Sequence, residues 1–198
     1  MKRLIRHLSR SAPVVAMALV VGTAPSVASP VYDSGLTMTQ RDEPGDLTWA
    51  QRLVIMQATL PFHDVDEAVA AGYAPTDECV DDPNLGGMGY HYVNPALIED
   101  GIVDPTIPEA LLYAPARDGE IRLVAVEYVA NDDDGDANTA HDRHSLFGEP
   151  FDGPHDGHAP GQPVHYDLHA WVWKANPAGD VAQFNPRVHC PDPGGQGT

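Results

Sequence analysis

The runs RLVAVEYVA, residues 122–130, and PVHYDLHAWVWKA, residues 163–175, decide how this chain folds. Both are rich in β-branched and aromatic residues and bounded by turn formers, Asp118-Gly119 ahead of the first and Asn176-Pro177 after the second. Side chains two apart on a strand share a face. Alternation along 164–173 gives one apolar face of Val164, Tyr166, Leu168, Ala170 and Val172. The opposite face carries His165, Asp167, His169, Trp171 and Trp173. Along 121–129 it sets Glu127 in a row with Ile121, Leu123, Ala125 and Val129, and places Arg122, Val124, Val126 and Tyr128 opposite.

Outward from these runs, ALLYA (110–114) pairs with 120–130 as a hairpin, GYHYV (89–93) reads as another strand, and VAQF (181–184) as a short last one. Helices come earlier. Thr48 and Gln51 fit a capping box, and Trp49, Leu53, Met56 and Leu60 follow as one apolar stripe until Pro61. Asp64 and Glu67 open a second, short helix that Gly72 and Pro75 stop. Helices first and strands afterwards predict an α+β fold, an N-terminal helical pair packed on a mostly antiparallel β-sheet. A β-sandwich with appended helices is the alternative.

The ends of the chain carry different information. Residues 1–28 have Lys2, Arg3, Arg6 and Arg10, no acid, a short apolar run at 12–24, and small residues at Ser26 and Ala28. This is the pattern of a cleavable signal peptide, too short in its apolar part to span a membrane. With no Arg-Arg pair and no cysteine at the cut, it predicts a secreted, extracellular protein exported by the general secretion route, with no membrane insertion after cleavage. Residues 29–46 read as a flexible leader, 47–190 as a single globular domain and 191–198 as a disordered tail. Cleavage leaves seven basic against 29 acidic residues, a net charge of −22, which repels nucleic acid and sets it aside as a partner. Cys79 and Cys190, the two cysteines, are expected to form a disulfide in an oxidising compartment.

The candidate chemistry lies on the strands. A carboxylate in an apolar row costs several kcal/mol unless protonated, paired or metal-bound, so Glu127 calls for an explanation. Arg122 and Arg187 are possible ion-pair partners; a metal is the alternative. His165 and His169 share a face, Asp167 lies between them, and His91 in GYHYV completes a set if the strands adjoin. Imidazoles with a carboxylate suit Zn, Cu, Fe or Mn. In this reading His91, Glu127, His165 and His169 ligate, Asp167 orients a histidine from behind, and Trp171 and Trp173 wall the groove. His141, His144, His155 and His158 fall in the long acidic loop 131–162 and read as solvated. The run Asp132-Asp133-Asp134-Gly135-Asp136 is not an EF-hand loop, because Gly135 at position six puts Ala130 at position one and His141 at position twelve. No nucleophile elbow, phosphate loop, haem motif or dinucleotide fingerprint occurs.

GGMGYHYVNPAL (86–97), PEALLYAP (108–115), RLVAVEYV (122–129), SLFG (145–148) and HYDLHAWVWKANPAGDVAQFNPRVHC (165–190) together resemble a family of secreted bacterial proteins with no assigned activity. The resemblance implies that the segments around His91, Glu127 and His169 belong to one recurring architecture. Three functional readings remain open: an extracellular domain binding a transition metal or small ligand, a structural or cell-surface interaction protein with a buried polar network, and a secreted metal-dependent enzyme.

Overall fold

The computed structural model describes residues 45–157 and 162–191, which belong to one unit of the chain. The segments expected as signal peptide (1–28) and, up to Pro44, as leader, together with His158 and the tail beyond Pro191, lie outside the described residues. Helix α1 (Trp49–Thr59) begins with the expected capping box: Thr48 Oγ1 accepts from Gln51 N–H, and Gln51 Oε1 accepts from Thr48 N–H. A 3-10 turn (Leu60–His63) carries Pro61, and α2 (Val65–Ala70) starts at Asp64, whose carboxylate accepts from Asp66 N–H. Then come β1 (Ala74–Asp82), β2 (Gly86–Val93), α3 (Pro95–Asp100), β3 (Ala110–Pro115) and β4 (Ile121–Asn131). The chain closes with β5 (Ser145–Leu146), β6 (Glu149–Pro150), β7 (Asp152–His155) and β8 (His165–Ala170).

The main sheet has the order β1-β2-β3-β4-β8-β7, and each of its pairings is antiparallel. β5 and β6 make only a two-stranded ribbon, so the fold is α+β and not a sandwich. Leu111, Tyr113, Val126, Tyr128, Tyr166, Leu168 and Ala170 form the sheet's helix-facing side, packed against Ile55 and Ala68. Buried tyrosines reach out of this layer: Tyr73, Tyr113 and Tyr128 donate their hydroxyls to the carbonyls of Pro108, Phe62 and Pro105 at 2.7, 2.6 and 2.8 Å. Each bond satisfies a phenol that burial would otherwise strand. The other side of the sheet holds a smaller apolar cluster of Leu112, Ala114, Val124, Ala125, Trp171 and Val188. The disulfide Cys79–Cys190 closes a separation of 111 residues and fastens the C-terminal segment to β1.

Four local expectations change. Of the stripe predicted to bury α1 only Met56 packs on the core: Trp49 is 65% exposed and Leu60 59% exposed, while Ile55 and Thr59 are fully buried. Polar anchors set this rotation. Arg52 pairs with Asp180 at 2.6 Å, Gln51 Nε2 donates to Phe147 O, and Thr59 Oγ1 accepts from Trp173 Nε1. Second, β4 has a bulge: Leu112 opposes Ala125 while Tyr113 opposes Leu123, leaving Val124 extra. Leu123 thereby moves to the helix side, and Glu127 keeps only Ala125 and Val129 of its predicted row. Third, β8 ends at Ala170, where Trp171 N–H leaves the ladder for Asp180 O. Fourth, residues 181–184 form turns instead of a strand.

Candidate metal centre

β8 is buried along its whole length, on both faces. Its polar side is therefore no solvent-facing surface: His165, Asp167 and His169 are 2%, 3% and 1% exposed. Register brings the rest. Glu127 stands opposite His169 on β4, Ala110 opposes Glu127 on β3, and Val93 opposes Ala110 on β2. Strands lie about 4.8 Å apart, so β2 and β4 are separated by roughly 10 Å across β3. The small side chain of Ala110 leaves room above β3, and the long arms of His91 and Glu127 meet over it. His91 Nε2 lies 3.5 Å from Glu127 Oε2. Gly89, two residues before His91 at φ +95°, allows this approach, since a Cβ there would strike the carbonyl of Tyr113.

His91, Glu127 and His169 form a group in which one ligand atom from each lies within 4.8 Å of the others. Among the described residues it is the group of three or more His, Cys, Asp or Glu side chains that converges this closely. A tetrahedral ion with bonds of about 2.0–2.1 Å needs its donors roughly 3.3–3.4 Å apart. The His91–Glu127 pair is already near that spacing, and small side-chain rotations would bring His169 in. Nε2 of His169 is buried and makes no hydrogen bond. Nδ1 of the same ring faces Asp167 Oδ1 at 3.4 Å. The far oxygen of Asp167 faces His155 Nε2, also at 3.4 Å.

The charges are set by burial against proximity. Burial pushes the Glu127 carboxyl up to about 7, with Asp167 adding to the rise and His169 opposing it. Burial alone would lower His169, but Asp167, Glu127 and Asp152 outweigh it and hold the imidazole above its ordinary value. Burial would likewise raise Asp167; His169, His155 and His165 outweigh that and keep it below the usual carboxylate range. The carboxylates thus favour a positive charge at this point in the sheet.

The predicted set is only partly assembled. His165 is not in the converging group: it stands four residues along β8 from His169, about 13 Å away, with Nδ1 3.1 Å from Pro163 O. The two tryptophans do not wall a common groove. Trp171 lies in the smaller cluster and donates its indole N–H to Ala182 O, while Trp173 packs with the helix-side core against His63. Strand alternation carried them to one face on paper, and the end of β8 at Ala170 separates them. Arg122 is spoken for by Asp118 and Glu120 at the exposed end of β4. Two participants were missed. His155 belongs to β7, not to a solvated loop, and contacts Asp167. Glu109 is 1% exposed, is pushed up to about 7 by burial, and accepts from Val129 N–H at 3.0 Å just before β3 begins. A Glu just before ALLYA carried no periodic signal; its role comes from the unpaired N–H beside it.

Surface cavities of about 760 and 220 Å3 lie elsewhere, the first beside His63 and Glu120, the second beside Tyr73 and Asn94. Neither is lined by the three converging residues. No family pattern, curated protein or solved structure matches this chain.

Proposed function

We propose that this is an extracellular metal-binding protein in which His91, Glu127 and His169 hold one transition-metal ion. The observation that carries the reading is the convergence of two imidazoles and a carboxylate, with Nε2 of His169 buried and without a hydrogen-bond partner. A self-sufficient polar network would satisfy that nitrogen, because an unpaired buried polar group costs about 1–3 kcal/mol. A metal ion satisfies one nitrogen directly, and Asp167 is placed to orient the ring through the other. Two imidazoles and a carboxylate suit Zn best, with Cu, Fe and Mn as competitors chosen by availability and geometry.

The cluster lines neither of these two surface cavities, and its donor set is that of a metal ion. Three protein donors would leave a coordination position for water, and catalysis would further require a path for substrate to it. Binding is therefore the reading favoured over a secreted enzyme. The proposed location follows from the signal-peptide pattern in 1–28, with the Cys79–Cys190 disulfide and the lack of a membrane-spanning helix among the described residues in keeping with it.

Elemental analysis of the mature protein tests the reading, using material secreted by its own host and never passed over a nickel column. Near-stoichiometric metal, lost in His91→Ala and His169→Ala but retained in His165→Ala, is the expected result. A metal-free protein whose melting temperature ignores added Zn, Cu, Mn and Fe would refute it.

A further inference from the structure

A second cluster lies where the chain leaves β4, on the loop that returns to Tyr166 of β8. Asp132 is 7% exposed and anchored, its N–H bonded to Val164 O and its Oδ1 accepting from Gly135 N–H at 2.6 Å. Its other oxygen, Oδ2, is buried and accepts nothing. Asp142 reaches the same place from the far side of the loop. Its Oδ1 accepts the Tyr166 hydroxyl at 2.7 Å and its Oδ2 accepts from Asp133 N–H. The Tyr166 oxygen also lies 3.4 Å from Thr139 O.

The donor count does not close. Tyr166 has one proton, and the 2.7 Å bond commits it to Asp142. Asp132 also neighbours the phenol, and together with burial and Asp142 it holds the Tyr166 hydroxyl above its ordinary value. Asp134 borders Asp132 as well and is occupied by Asp136 N–H and the Thr139 hydroxyl. The nearby basic side chains make no hydrogen bond to Asp132. Arg143 donates to the carbonyls of Phe151 and Gly153 and lies over the ring of Tyr166, and His141, 69% exposed, is 3.8 Å from Asp134. A buried carboxylate oxygen with no donor is what a bound cation repairs.

We propose that Asp132, Asp142 and the carbonyl of Thr139 bind a hard divalent cation of the calcium class beside Tyr166. The donors are all oxygen, which suits calcium, and water would fill the remainder of its six to eight positions. The ligand spacing differs from an EF-hand, consistent with the failure of that motif in sequence. Few protein ligands in a short loop place the affinity in the range of extracellular modules, about 10⁻⁴–10⁻³ M. The site is independent of the His91–Glu127–His169 group and shares no donor with it.

Terbium luminescence tests this on the full mature protein after chelation, because Tyr166 sits close enough to sensitise a lanthanide bound to Asp142. Expected are luminescence displaced by Ca2+ alone and a calcium affinity by calorimetry that falls about tenfold or more in Asp132→Asn. Asp142→Asn serves if Asp132→Asn does not fold. Tyr166→Phe should lose sensitised emission yet still bind Ca2+. No Ca2+-displaceable emission up to about 10 mM would overturn the proposal, as would undiminished binding in the folded Asp variants.

Discussion

Glu127→Gln should make the metal-free protein more stable at alkaline pH while abolishing its response to metal. Burial pushes the Glu127 carboxyl from 4.5 up to about 7, and the carboxylates around His169 raise that imidazole too. Both groups hold protons more tightly folded than unfolded, so their stability contribution is complete below the unfolded values and is lost as pH rises through the folded ones. Metal-free protein should therefore weaken between about pH 5 and pH 8. The interval from 4.5 to about 7 at Glu127 is worth about 3 kcal/mol at 1.36 kcal/mol per pH unit. For a domain of this size that is roughly 6–12 °C in Tm. Glutamine keeps the shape and cannot ionise, so the variant in chelator at about pH 8 should melt higher than the parent by up to this amount. With added zinc the parent's slope should reverse, because the ion requires an unprotonated Glu127, and the variant should show no gain. Thermal melts across pH, with chelator and with zinc, read all of this. If Glu127→Gln in chelator at alkaline pH melts below the parent, the carboxylate is already compensated in the empty protein and the reasoning fails.

Three further outcomes follow from the same contacts. Asp167→Asn should leave the fold intact but weaken zinc binding about 10- to 100-fold in competition against a chromophoric chelator, since His169 loses its orienting charge. Cys79→Ser with Cys190→Ser should cost about 4–5 kcal/mol in denaturant unfolding, given a closed loop this long; a cost under about 1 kcal/mol would mean that the unfolded chain was never restrained by it. Gly89→Ala should fail to give soluble protein or lose more than about 3 kcal/mol, because the new Cβ combines a left-handed backbone with a clash on Tyr113 O. Recovery of parental stability there would contradict the described pairing of β2 with β3.

What was legible in the sequence was local or periodic. The α1 capping box, the Asp64 cap, the hairpin around Asp118-Gly119 and the apolar face of β8 are short-range patterns, and each stands in the fold. The pairing of His169 with Glu127 could be reasoned toward, because both are polar residues on strands too apolar to be surface. What failed depended on partners far along the chain. α1 leaves Trp49, Leu53 and Leu60 of its stripe exposed, with Asp180, Phe147 and Trp173 bound to Arg52, Gln51 and Thr59. The Val124 bulge is fixed only against β3, and the separation of Trp171 from Trp173 only by the bond of Trp171 to Asp180. His155 gave no sign in a run of Asp, Gly and Pro that a strand was waiting to pair with β8.

The strand order carries a consequence for when a metal can be chosen. β1 to β4 form a continuous meander, whereas β8 enters last, between β4 and the earlier β7. His91 and Glu127 thus lie on the meander, and His169 on the last strand of the chain to be inserted beside it. Until β8 docks, the chain carries all three donors but no site. Under the proposed function, the ion would be selected from the pool present where β8 docks, so compartment, more than intrinsic affinity, would decide which metal fills it.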